Sequence, residues 1–152
     1  MQAGAGDVPG RSRVRMAKPR MTWVYQPAKQ VKPAVTATLK ADVEARAQDL
    51  IVSVLKPRDV KPPPDDERFN YIVDLGTKWY RRYFYLFATY ASPGPTAISP
   101  SFEAPFARLE YIGADHFALA FMRYTGKWVE LYPDLSLEQC LDAIRSEPYF
   151  VP

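Results

Sequence analysis

The sequence predicts an α+β fold: an antiparallel sheet of four to five strands flanked by an N-terminal and a C-terminal helix. Three observations lead there. Apolar residues recur at helical spacing in two places, 38–55 and about 137–146. The segments between them are aromatic-rich, alternate with period two and are separated by short turns. The 15 prolines gather in connections rather than inside the periodic segments.

The first helix is expected over 38–55. Leu39, Val43, Ala47, Leu50, Ile51 and Val54 fall on one face, and Asp42, Glu44, Arg46 and Asp49 fall largely elsewhere. Thr38 is the expected N-cap, and Pro57 is expected to stop the helix, because proline forces its predecessor out of the α region. Residues 56–68 contain Pro62-Pro63-Pro64, which favours extended polyproline geometry and reads as a link from helix to sheet.

Strands are expected at 69–75, 78–90, 104–112, 116–124 and 128–132. Gly76-Thr77 reads as the first hairpin turn; Gly113-Ala114-Asp115 and Thr125-Gly126-Lys127 read as the later ones. Turns this short require antiparallel neighbours, since parallel strands need a long crossover. In the fourth strand Phe117, Leu119 and Phe121 face one way and Ala118, Ala120 and Met122 the other. Both faces are apolar, which predicts a central strand covered on both sides. Arg108 and Glu110 share one side of the third strand, a solvated or charge-paired face. The closing helix opens on Ser136 and Gln139, a capping box, and carries Leu137, Cys140, Leu141 and Ile144 as its apolar stripe.

Two regions follow: a basic, proline-containing, mostly irregular arm over 1–37, and a single α+β domain over 38–152. Residues 1–40 hold eight basic side chains against Asp7 alone, a net +7, while the other 112 residues carry 12 basic and 16 acidic groups, a net −4. A cationic arm can hold phosphate, anionic lipid or an acidic protein face. Arg11, Arg13, Arg15, Lys18 and Arg20 carry that charge, and Trp23-Val24-Tyr25 is an apolar patch able to anchor the arm. The single cysteine excludes an intrachain disulfide and fits a reducing compartment, so a cytoplasmic location is expected. No apolar run approaches the ~18–20 residues of a membrane span. The N-terminus is charged but lacks the apolar core of a secretory signal.

Catalytic signatures are thin. His116 is the only histidine; beside Asp115 it reads as a turn residue bonded to backbone. Cys140 lies on an apolar helix stripe and reads as a small hydrophobe. Asp65, Asp66 and Glu67 read as solvated; Glu103, Glu110 and Glu130 sit on strands and serve catalysis only if they converge in space. The seven glycines form no phosphate-cradling pattern, and one His with one Cys cannot make a zinc site of those ligands; no cofactor or metal is expected. The segment Trp79-Tyr80-Arg81-Arg82-Tyr83-Phe84-Tyr85 is the most unusual: on a continuous strand Arg81 and Arg82 would point to opposite faces among the rings. Exposed aromatics with arginine stack bases in single-strand binders, and the plainer reading is a core strand whose arginines snorkel.

Three groups of residues resemble a bacterial family, domain of unknown function 3024: Ala107-Arg108-Leu109-Glu110-Tyr111, Gly126 through Asp134, and Leu135-Ser136-Leu137-Glu138. That family similarly has an Ala-Arg-x-x-Tyr strand, a Gly-x-Trp turn and strand, and a Tyr-Pro before a leucine-rich helix. The resemblance covers about residues 38–152 and implies this order of elements. It carries no assigned activity. Where the family ends in an acidic residue and Phe-Trp-Gly, this chain ends Pro148-Tyr149-Phe150-Val151-Pro152.

The expected function is a non-enzymatic binding module contacting RNA or a protein through the arm and the aromatic sheet, with Arg11, Arg13, Arg15, Lys18, Arg20, Trp23, Tyr25, Arg81 and Arg82 as partner-binding residues. The alternatives are a small enzyme using sheet carboxylates and His116 in a cleft, and a homo-oligomeric structural protein.

Overall fold

The structure, a computed structural model, describes residues 33–66 and 68–152. The chain divides into a unit of Met1–Lys32 and a unit of Pro33–Pro152. The arm residues Arg11, Arg13, Arg15, Lys18, Arg20, Trp23 and Tyr25 lie outside the described residues.

The first helical run is longer than expected. It comprises α1 (Ala37–Leu50), a π-helical stretch (Ile51–Leu55) and α2 (Lys56–Asp59). Its N-cap is Thr36, not Thr38: the Thr36 hydroxyl accepts from the Leu39 amide at 3.1 Å. The run does not stop before Pro57. In the π stretch the Lys56 amide reaches the Ile51 carbonyl, five residues back, and Pro57 follows directly in the first turn of α2.

The π stretch has a packing reason. Leu39, Val43, Ala47, Ile51 and Leu55 stand four residues apart, and the last four are fully buried. Steps of four drift around an ordinary α-helix by about 40° each. A wider π turn takes up that drift and returns Leu55 to the face that Val43 and Ala47 present to the sheet.

The sheet is a five-stranded antiparallel meander in the order β1 (Tyr71–Tyr80), β2 (Tyr83–Ala91), β3 (Ser101–Gly113), β4 (His116–Met122) and β5 (Trp128–Ser136). The first turn lies at Arg81-Arg82, because Tyr80 pairs with Tyr83. Gly76 is instead a strand residue opposite Phe87, and a Cβ there would meet the Phe87 ring at 2.9 Å, so the glycine makes room for the ring. The β3–β4 turn is tight, with Ala114 (φ 52°) and Asp115 (φ 62°) in the left-handed region that two-residue hairpins use.

Bulges bend the strands. Between β2 and β3, Leu86 pairs with Ala107 but Phe87 with Pro105, leaving Phe106 as the extra residue. Phe106 and Ala107 are therefore buried in succession, and Pro105 is tolerated in the middle strand because the ladder is already broken beside it. β5 carries further irregularities opposite Phe117, Leu119 and Ala120 and runs through Pro133 to Ser136, past the expected end at 132.

The helices cover one face of the sheet. Phe84, Leu86 and Ala88 of β2, Ala107 and Leu109 of β3, and Phe117 and Leu119 of β4 join the α1 ladder in a single core. α3 (Leu137–Ser146) adds Leu137, Cys140, Ala143 and Ile144, and a short turn (Pro148–Phe150) adds Phe150. The α3 capping box is present: the Gln139 amide donates to the Ser136 hydroxyl, and the Ser136 amide to the Gln139 side chain. Lys56 reaches Asp74 of β1 at 2.9 Å and holds that carboxyl below its ordinary pKa, tying the helical run to the sheet edge.

β4 is second from the edge rather than central, and among the described residues no second layer covers its other face. Ala118 and Ala120 are buried all the same, and their partners in register on that face carry longer side chains, Glu110 beside Ala118 and Arg108 and Glu130 beside Ala120.

Phe117 is fully buried, with its ring 5.4 Å from that of Tyr111. Phe117→Ala is expected to cost about 3–5 kcal/mol in urea unfolding. Phe121, half-buried against Tyr149 and Phe150, is expected to cost less on the same truncation. Equal losses would contradict the difference in burial between the two positions.

Candidate functional site

The face of the sheet that the described helices leave open is built by alternation. Tyr80, Tyr83, Tyr85 and Phe87 of β1 and β2, Arg108 and Glu110 of β3, Ala118 and Ala120 of β4, and Trp128 and Glu130 of β5 meet there through cross-strand pairs. The middle of this face is an arginine between two rings. The Arg108 guanidinium lies 5.0 Å from the Tyr83 ring centroid and 5.1 Å from that of Trp128, with Tyr85 5.8 Å from Trp128.

This cluster depends on two small residues. Ala120 stands between Arg108 and Glu130 in register, and Ala118 beside Glu110. A larger side chain at 120 would fill the space through which Arg108 and Trp128 meet across β4. Arg108 Nε is buried and has no hydrogen-bond partner among the described residues, while the guanidinium makes both ring contacts.

Other cations repeat the motif. Lys78 Nζ lies 4.9 Å from the Phe87 ring and ion-pairs with Glu103 at 2.9 Å; Arg81 lies 5.1 Å from the Tyr80 ring. Lys78, Tyr80, Tyr85, Phe87, Glu103 and Pro105 line a groove of about 350 Å³.

Arg81 and Arg82 do not alternate along a strand; they form the β1–β2 turn. The ring faces change accordingly. Trp79 joins Phe84 on the helix side, with centroids 4.9 Å apart, while Tyr80 falls on the side of Tyr83 and Tyr85. Arg81 takes φ 56°, a backbone region uncommon for a residue with a Cβ. Arg82 donates from Nη1 to the Tyr111 carbonyl at 3.0 Å. Pro33, Ala34, Val35 and Lys40 join the two arginines around an open recess of about 370 Å³.

The remaining candidates are dispersed. His116 pairs through Nδ1 with Asp134, and not with its neighbour Asp115, and both partners are exposed. Glu103 is engaged by Lys78, while Glu110 and Glu130 flank the β4 alanines. A cleft of about 530 Å³ between α1 and the start of α3 contains Asp42, Arg46, Asp115 and Glu138, and its arginine reaches both Asp42 (3.4 Å) and Glu138 (3.8 Å). Among the described residues no three His, Cys, Asp or Glu side chains gather as a metal site requires, and no helix is long and apolar enough to cross a membrane.

Sequence reasoning passed over Arg108, Trp128 and Lys40 as site residues. The Ala107-Arg108-Leu109 alternation and the alanines of β4 were the available signals. The pairing that brings Arg108 beside Ala120 needs the register, which the alternation alone does not fix.

Cys140 is fully buried, and desolvation pushes its thiol up to about 12. The native protein is therefore expected to resist alkylation by iodoacetamide at pH 8 and to react promptly once unfolded in urea. Fast labelling of the folded chain would contradict the buried-hydrophobe assignment.

Residues 34–152 match the family model described as Domain of unknown function (DUF3024). No curated protein and no solved structure matches the chain. The matched span runs from just before the α1 N-cap to the last residue and takes in every described strand and helix, so the chain belongs to the DUF3024 family.

Proposed function

We propose that this protein is a non-enzymatic, cytoplasmic binding module that holds single-stranded RNA across the open face of its sheet. The observation that carries the reading is the continuous surface of Tyr83, Arg108, Trp128 and Tyr85, ring and guanidinium planes within 5–6 Å of one another on the face that no described helix covers. Every base has a π face, so such a platform binds single strands with little sequence preference. The face lies next to the Arg81-Arg82 turn, which offers cations to the phosphate backbone. In this reading the basic arm, through Arg11, Arg13, Arg15, Lys18 and Arg20, adds non-specific attraction, and Trp23 and Tyr25 contribute apolar contact. Glu103, Glu110 and Glu130 oppose the binding of a polyanion, which makes the arm and the turn the main electrostatic contribution.

A second reading, a protein partner or a further copy of this chain, is favoured by the free edge of β1. This ten-residue strand has no neighbour on its outer side among the described residues, and Val73 and the adjacent Phe69 are exposed. Such an edge can accept another strand. Light scattering on the purified chain separates this reading, because strand addition between copies gives a concentration-dependent dimer.

Fluorescence anisotropy of a labelled single-stranded RNA at low salt tests the first reading. Tyr83→Ala and Trp128→Ala are each expected to weaken binding by about 1–3 kcal/mol, the range for one stacked base. Replacing the five arm cations with Ala should flatten the salt dependence and lower affinity for all sequences alike. Failure of the unaltered protein to bind RNA at low salt would end this reading.

A further inference from the structure

We propose that Lys40, Arg81 and Arg82 form a phosphate-binding subsite at the β1–β2 turn, which receives a backbone phosphate of the bound strand. The inference rests on the RNA reading for the source of the phosphate, but the site stands on its own geometry. Three cationic side chains line one open recess of about 370 Å³, and its remaining walls are Pro33, Ala34 and Val35. Among the described residues no carboxylate lines it, and none of the three cations is ion-paired with a carboxylate. The recess at the α3 end of the domain differs in this respect, since its arginine is engaged by Asp42 and Glu138.

Each cation is placed by the fold. Lys40 projects from the first turn of α1 and lies 5.9 Å from the Trp79 ring centroid. Arg82 is fixed at both ends: its guanidinium donates to the Tyr111 carbonyl, and its own carbonyl accepts from the Tyr111 amide at 2.9 Å. One edge of the guanidinium is thereby committed, and the planar fork keeps further N–H donors for an oxyanion. Arg81 occupies the tip of the turn with φ 56°, where glycine would sit without strain. A strained arginine at a position that glycine suits better points to a role for its side chain. The walls from Pro33 to Val35 directly precede the α1 N-cap Thr36, so the positive end of a 14-residue helix adjoins the recess. Arginine's fork and the three-fold positive charge suit the oxygens of a phosphate group.

The substitution that tests this separates binding from folding. Arg81→Gly relieves the backbone and should leave the thermal midpoint unchanged or raised, while weakening anion binding. The full-length protein is titrated with inorganic pyrophosphate at low ionic strength and followed by NMR at backbone amides and arginine Nε groups. Saturable shifts are expected at Lys40, Arg81 and Arg82, weakened at least fivefold in Arg81→Gly. In parallel, the slope of log affinity for single-stranded RNA against log salt should fall by about 0.7 in Arg81→Gly, the equivalent of one phosphate no longer neutralised, and stay unchanged in Trp128→Ala. Shifts at the three residues without any RNA binding would retain a free-phosphate site and remove the RNA reading. RNA binding with an unchanged slope in Arg81→Gly, and pyrophosphate shifts confined to other residues, would overturn the subsite and leave the RNA reading standing. No response to pyrophosphate and no change of slope overturns it as well.

Discussion

A five-stranded meander with all its described helices on one side must bury one face and defend the other. This constraint organises the molecule. On the buried side the ladder from Val43 to Leu55 and the α3 residues Cys140 and Ile144 close over Phe84, Leu86, Leu109, Phe117 and Leu119, all without solvent contact. The π stretch exists to keep that ladder straight: the cost of one irregular turn is offset by the burial of Ile51 and Leu55, each worth about 1.5–3 kcal/mol. On the open side the described residues form no second layer, so the strands shield their own backbone. Rings and long cationic stems do this better than short polar groups, because each covers apolar area while keeping a polar tip in water. The cation–ring pairs of Tyr83, Trp128, Phe87 and Tyr80 are the form that this self-covering takes.

The bulges follow from the same demand. A flat sheet would present α1 and α3 with a surface that helices contact only along a line, and twist improves the fit. Phe106 as the extra residue of β3 turns two successive side chains inward where the helices lie. The irregularities of β5 carry that strand toward α3, where the Tyr132 hydroxyl donates to both oxygens of Glu147 at 2.9–3.0 Å. The hydrogen bond to the carboxylate raises the phenol's pKa, which keeps the Tyr132 side chain a neutral hydroxyl that donates. Pro133 fits because β5 is an edge strand that needs no donor on its outer side.

Local periodicity made much of the fold legible. The α+β class, the five strands, the antiparallel pairing, the β3–β4 turn, the apolar face of Phe117 and Leu119 and the Ser136 capping box all follow from residues a few positions apart. The errors come from signals that only the tertiary structure resolves. Gly76 looks like a turn residue until the Phe87 ring is seen to need its space, and Arg81 does not look like one, since its left-handed backbone is set by the strands on either side. Pro57 looks like a stop until the π stretch absorbs it. Ala118 and Ala120 look like a second core face, yet alanine is also what a strand carries when its neighbours' longer side chains must meet over it. The candidate site was legible only as composition, in the run from Trp79 to Tyr85, because which rings share a face changes once a two-residue turn is placed inside that run.

That displaced turn has a consequence for how charge is arranged. On a continuous strand, Arg81 and Arg82 would divide between core and solvent, and one of them would need a buried partner. As turn residues both reach the sheet's end, where Arg82 is fixed by a backbone carbonyl and Lys40 arrives from the first turn of α1. Asp42 of α1 and Glu138 and Asp142 of α3 are meanwhile drawn into pairs with Arg46 and Arg145. The described unit, net negative by composition, thus gathers three cations around one recess. Net charge alone would place a polyanion at a disadvantage here. Local arrangement reverses the sign where it matters, because an approaching phosphate responds to charges within a Debye length, about 8–10 Å, and not to the sum over the whole chain.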